Sequence, residues 1–127
     1  MQQKHLFEYA VVRVVPRVER EEFLNVGVVL YCAKEKFLQM KFHVDGDRLQ
    51  SFCATCDVGE ITTYLQAFER IAMGAQNAGP IAALGIAERF RWLTATRSTV
   101  VQTSRVHPGI CDNAAAMLQK LFDQLVA

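Results

Sequence analysis

The chain has 127 residues, 51% of them hydrophobic and 21% charged, the profile of a folded domain long enough to bury a sizeable core without disulfides or a structural metal. Fourteen Lys and Arg against thirteen Asp and Glu leave a net charge of +1, which argues against a polybasic membrane anchor, an acidic tail and a nonspecific nucleic-acid coat. Met1-Gln2-Gln3-Lys4-His5 lacks the apolar core of a secretory signal, and no apolar run reaches the roughly 18 residues of a membrane span. The expectation is therefore one domain, residues 1–127, in the cytoplasm, with four reduced cysteines and no cofactor.

Leu6 to Val15 is rich in β-branched and aromatic residues and is closed by Pro16, so it reads as a strand. Both of its alternating sets are largely apolar, which makes it central or covered on both faces. Arg17 to Leu24 is a charged connection, and Asn25 to Cys32 is a second apolar strand in which Gly27 marks a bulge or a close backbone approach. Ala33 to Lys36 is a turn. Phe37 to Val44 then alternates, with Leu38, Met40, Phe42 and Val44 opposite Gln39, Lys41 and His43, as a half-solvated strand does. Three strands joined by short connections suggest an antiparallel meander, ended at Asp45-Gly46-Asp47.

Asp57 and Glu60 form a capping box ahead of Ile61, Tyr64, Leu65, Phe68, Ile71 and Ala72, which recur at helical spacing. Asn77-Ala78-Gly79-Pro80 is a break, and helical character returns around Ala87 to Leu93. Ser98 to Ser104 reads as an edge strand or extended loop, and His107-Pro108-Gly109 as a turn. Asp112 or Asn113 caps a last helix with the apolar stripe Met117, Leu118, Leu121, Phe122 and Leu125. Strands followed by helices without βαβ alternation indicate an α+β fold: an antiparallel sheet of three or four strands with helices packed against it.

Four groups of residues could carry chemistry. Cys53-Ala54-Thr55-Cys56 has C-x-x-C spacing, but no second ligand pair for zinc accompanies it and the pair precedes a capped helix instead of opening one, so it reads as ordinary thiols. Arg13 is a cation inside an apolar strand and needs a partner: a structural ion pair with Glu8, Glu22 or another carboxylate, or an anion on a ligand. Arg89-Phe90-Arg91-Trp92 interleaves cations and aromatics as nucleic-acid surfaces do, although at helical spacing Phe90 and Leu93 point inward. Ser98, Thr99, Gln102, Thr103, Ser104 and His107, flanked by Arg97 and Arg105, form the densest polar cluster, yet no acidic residue occurs between Glu88 and Asp112 to complete a local catalytic triad or metal site. There is no G-x-x-x-x-G-K-[ST], G-x-G-x-x-G or H-E-x-x-H, which sets aside a P-loop, a Rossmann cofactor and a zincin.

Two blocks resemble the bacterial family known as domain of unknown function 3037. The first is Tyr9-Ala-Val-Val-Arg13-Val-Val-Pro16 leading into Glu22-Phe-Leu-Asn25-Val-Gly27-Val28; the second runs from Arg89-Phe-Arg91-Trp-Leu93-Thr94 through Arg97-Ser98, Gln102 and Ser104 to His107-Pro-Gly109. Thr96 and Arg105 stand where the family pattern commonly has proline. The resemblance implies a small bacterial cytoplasmic protein, encoded in some genomes near HipA-like kinases, and hence a protein partner, with a kinase-like protein one candidate. It transfers no activity. Arg13, Glu22, Asn25, Arg91, Arg97, Ser98, Gln102 and His107 match the family pattern and are the candidate ligand-binding residues.

The first functional expectation is a noncatalytic protein-interaction or accessory module, with self-association through an exposed sheet edge as one mode of assembly. A second is a phosphate- or nucleotide-ligand binder, or an enzyme, in which Arg13, Arg91 and Arg97 hold an anion, His107 moves a proton and Glu22 orients it. A third is nucleic-acid binding through Arg89 to Arg97.

Overall fold

Strand β1 (His5–Val14) runs through the middle of the sheet. In the computed structural model, which describes residues 4–16, 22–97 and 99–126, β2 (Leu24–Cys32) lies along one side of it and β3 (Phe37–Phe42) lies outside β2, all antiparallel. The opposite side of β1 is shared. Its C-terminal half pairs with the short β4 (Val101–Thr103) and its N-terminal half with β5 (His107–Cys111), again antiparallel. The sheet therefore has five strands, where three or four were expected.

The two apolar sets of β1 find two separate cores. Ala10, Val12 and Val14 join Val29, Leu38 and Met40 beneath α1 (Gly46–Phe52), α2 (Val58–Met73) and α3 (Ile86–Leu93). Phe7 joins Val28, Leu30, Cys32 and Cys111 beneath α4 (Ala114–Leu125). Helices thus cover both faces, as a central strand apolar on both sides requires.

Each long helix starts and stops for local reasons. The Asp57 carboxylate accepts a hydrogen bond from the Glu60 amide at 3.0 Å at the start of α2, and Gly74, at φ 66°, ends it. Between those caps Ile61, Leu65, Phe68, Ile71 and Ala72 turn onto the sheet, each large one contributing roughly 1.5–3 kcal/mol by leaving water. The Asn113 side chain caps α4, accepting from the Ala116 amide at 2.8 Å, and the Glu35 carboxylate reaches from the β2–β3 turn to accept from the Ala114 amide at 2.7 Å. That places a negative group at the positive end of the helix.

Three local expectations are corrected. His107-Pro108-Gly109 is the start of β5, not a turn. The segment runs at the edge of the sheet, where a proline without an N–H is tolerated, and Gly109 faces Phe7 so closely that an added Cβ would lie 2.5 Å from Phe7 Cζ. The glycine leaves room for the ring, and the ring covers the glycine backbone. The short α1, capped by Asp45, was not expected in a segment read as the end of a strand. The third strand stops at Phe42 instead of Val44. Most of the charged connection after Pro16, including Arg17, Glu19, Arg20 and Glu21, lies outside the described residues.

Candidate functional site

A bulge creates the most unusual polar arrangement in the molecule. From Glu8↔Tyr31 to Val12↔Gly27 the β1–β2 register is regular, and then it slips, so that Arg13 pairs with Asn25. Val26 is the extra residue on β2. Its side chain goes into the core with Val12, and Asn25 is turned onto the α4 face beside Arg13. Gly27 permits this, because β3 passes so near that an added Cβ would sit 2.8 Å from Lys41 O and 2.9 Å from Phe42 Cβ. On the other side of β1, Gln102 of β4 pairs with Arg13. Asn25, Arg13 and Gln102 therefore form one cross-strand row on one face, from segments far apart in sequence.

The row lies beyond the C-terminal end of α4, which spreads over β2 and β3 more than over β1. Asn25 Nδ2 donates to Leu125 O at 3.1 Å, tying the row to that helix end. Asn25 Oδ1 is buried without a hydrogen-bond partner among the described residues, and so is Arg13 Nε. Burial pulls the Arg13 guanidinium below its usual value, and it remains cationic at neutral pH. Its neighbour is an aromatic ring: the guanidinium carbon lies 3.9 Å from the centroid of Phe23, a half-exposed phenyl just before β2. Glu8, one candidate for an ion pair, alternates onto the opposite face of β1, and Glu22 is exposed next to Phe23. Gln102 Nε2 donates to Thr99 O at 2.9 Å, which leaves its amide oxygen as an acceptor.

His107 is on the same face, opposite Tyr9, with the two rings 5.3 Å apart. Tyr9 and Arg13 are four residues apart on one strand, about 13 Å. Between them Val11 is fixed to the edge, its amide donating to the buried Ser104 hydroxyl at 2.9 Å and its carbonyl accepting from the Ser104 amide at 2.8 Å.

The remaining candidates belong to the other layer. Arg97 donates to Trp92 O at 2.6 Å and Leu93 O at 3.0 Å, and its guanidinium packs on Trp92 and Phe68 at 4.7 and 5.0 Å from the ring centroids. It holds the C-terminal end of α3, satisfying carbonyls that the helix leaves open. Arg91 is exposed on α3, and Arg89 donates to Leu84 O at 2.5 Å and Ala72 O at 3.4 Å. Phe90 is buried against Tyr31 and Trp92 packs on Phe68, so both aromatics of this segment face protein. Ser98 lies outside the described residues. The structure thus brings Arg13, Asn25 and Gln102 together, sets His107 farther along the same face, and places Arg91 and Arg97 across the sheet.

Sequence reasoning passed over Phe23, the aromatic residue within a charged connection, which was the available signal for a ring serving a nearby cation. Among the described residues, no helix is long and apolar enough to cross a membrane, and no three His, Cys, Asp or Glu side chains gather as a metal site. No curated protein and no solved structure is significantly similar to the chain. Residues 9–126, nearly the whole chain and both blocks that carry this architecture, match the family model described as Protein of unknown function (DUF3037), and the chain belongs to that family.

Proposed function

We propose that the protein is a noncatalytic binding module that recognises a polypeptide partner through the Asn25–Arg13–Gln102 row. The observation carrying this reading is the half-buried Arg13, which lies over a phenyl ring with its Nε lacking a hydrogen-bond partner among the described residues, while an orphaned amide oxygen stands beside it. A guanidinium presents a fork of donors suited to a carboxylate, and the amide oxygens of Asn25 and Gln102 are acceptors. A ligand matching both must offer acceptors and donors together. A peptide with an Asp or Glu side chain and a free backbone N–H does so, whereas a fully ionised phosphate offers acceptors only. Phe23 extends the surface with an exposed apolar ring of the kind enriched at protein interfaces.

The test is parallel affinity capture with the wild-type chain and Arg13→Gln from the native lysate, analysing co-purifying polypeptides and retained small molecules by mass spectrometry. The expected result is a polypeptide held stoichiometrically by the wild type and lost by the variant, with binding restored to a partner fragment in which an acidic residue is kept and lost when it is replaced by its amide. A partner held equally by both proteins, or a retained phosphorylated metabolite displaced by inorganic phosphate, would overturn the reading.

A further inference from the structure

A cleft on the opposite side of the sheet from the polar row contains both members of the C-x-x-C pair. It has a volume of about 560 Å³ and is bordered by Pro16, the Cys53–Asp57 connection, Tyr64 of α2 and Thr99–Val101 at the start of β4. Cys53 and Cys56 are half-buried in its wall, whereas Cys32 and Cys111 are enclosed in the core beneath α4. The connection between α1 and α2 is a tight turn closed by the Cys56 amide, which donates to Cys53 O at 3.2 Å. Such a turn keeps its end Cα atoms within about 7 Å, the range a disulfide spans. Both thiols border the same cleft, and Thr55 Oγ1 lies 3.5 Å from the Cys53 sulfur.

We propose that Cys53 and Cys56 are a thiol–disulfide exchange pair acting on a disulfide-bearing ligand admitted to this cleft, with Cys53 attacking and Cys56 resolving. In the first step the Cys53 thiolate attacks one sulfur of the ligand disulfide. The S–S bond breaks, a mixed disulfide forms on Cys53, and the departing thiolate takes a proton. In the second step Cys56 gives up its proton and attacks Cys53 Sγ, so that the Cys53–Cys56 disulfide forms and the second ligand thiolate leaves and is protonated. Two protein thiols are oxidised and one ligand disulfide is reduced to two thiols.

The division of roles follows from the surroundings of the two thiols, of which Cys53 has the Thr55 hydroxyl at 3.5 Å. Hydrogen bonds from Cys56 and Thr55 stabilise charge on Cys53 and lower its pKa, while burial and the bond given to Cys53 push the Cys56 thiol up to about 11. The thiol that ionises first is thus the one held by its neighbours. Once Cys53 is in a mixed disulfide it carries no negative charge, and the charge repulsion that opposes ionisation of Cys56 is removed. Apolar Ile61, Val100 and Val101 and the Tyr64 ring supply contact for the organic part of the ligand.

The experiment treats the reduced, full-length protein with oxidised glutathione under anaerobic conditions and follows it by intact mass and peptide mapping. The wild type is expected to lose two thiols by forming the Cys53–Cys56 disulfide, with Cys32 and Cys111 still reduced. Cys56→Ser is expected to accumulate glutathione on Cys53, and Cys53→Ser to react at least about tenfold more slowly. The hydroxyl of serine preserves size, and circular dichroism verifies that each variant is folded. A Cys56→Ser protein that forms no mixed disulfide, or a wild type in which Cys53 reacts no faster than Cys32 or Cys111, would overturn the proposal.

Discussion

Replacing Gly27 with alanine tests the reasoning that links the bulge to the polar row. The added methyl would have to occupy a position 2.8 Å from Lys41 O and 2.9 Å from Phe42 Cβ, distances below 3.0 Å that real Cβ atoms essentially never show. Neither neighbour is the free end of a flexible side chain, so relief requires β2 and β3 to separate, next to the His43 N–H bond to Val26 O at 2.9 Å. Overpacking of this kind costs about 1–3 kcal/mol, and a backbone obstacle places the change in the upper half, about 2–3 kcal/mol. For a domain of this size that corresponds to a fall in melting temperature of roughly 6–15 °C. Urea unfolding measures the free energy, and the Asn25 side-chain amide resonances report on the row. Gly59→Ala is the control: it lies in the first turn of α2, its added Cβ meets Asp57 Oδ1 at 3.4 Å, and alanine improves helix propensity by up to about 1 kcal/mol. If Gly27→Ala stays within about 0.5 kcal/mol of wild type, or unfolds no more easily than Gly59→Ala, the close-approach argument is wrong.

Other substitutions probe separate parts of the fold. Ser104→Ala removes the acceptor of the buried Val11 amide, an orphaned donor costing about 1–3 kcal/mol in urea unfolding; an unchanged midpoint would mean that Val11 has found another acceptor. Glu35→Ala and Asn113→Ala each release one amide at the start of α4 and are expected to cost about 1 kcal/mol apiece. The double variant should expose the Cys111 thiol to alkylation more than either single one, and equal protection in all three would refute the capping role. A double-mutant cycle between Arg13→Met and Phe23→Leu should give a coupling of about 0.5–1 kcal/mol from the cation–ring contact. A coupling of zero would show that the ring contributes contact area alone.

The meander was legible because alternation carries its information locally. In β1 both sets are apolar, and that double pattern is what a strand buried between α4 and the α2–α3 layer must have. β3 shows the opposite case: Leu38 and Met40 turn to the core, while Lys41 lies along α4, donating to Gln119 and standing 4.9 Å from the Phe122 ring. The strand β5 was hidden because Pro108 and Gly109 are turn residues by local chemistry, and the reasons they suit a strand here are an open edge and the ring of Phe7, a hundred residues away in sequence. Helix α1 was hidden by its shortness. Seven residues with Leu49 as the buried one leave no periodic stripe to read, although Asp45, taken only as the end of a strand, is its cap.

The candidate sites show the same division between local and distant information. Arg13 stood out because a cation in an apolar strand is costly, but its companions depend on register, and one inserted residue decides whether Asn25 or Val26 stands opposite it. The cysteine spacing was equally plain, and the cleft that gives it meaning is completed by Pro16 and Thr99–Val101 from elsewhere in the chain. The two sites share strands without sharing a surface: Val14 pairs with Val101 on the layer that holds the cysteine cleft, and Arg13 pairs with Gln102, one residue away on each strand, on the face of α4. Arg13→Gln should therefore abolish partner binding and leave glutathione exchange unchanged, while Cys53→Ser does the reverse. A single substitution that removed both activities would mean that β4 shifts as a unit, and that the alternation of Val101 and Gln102 does not separate the sites as argued.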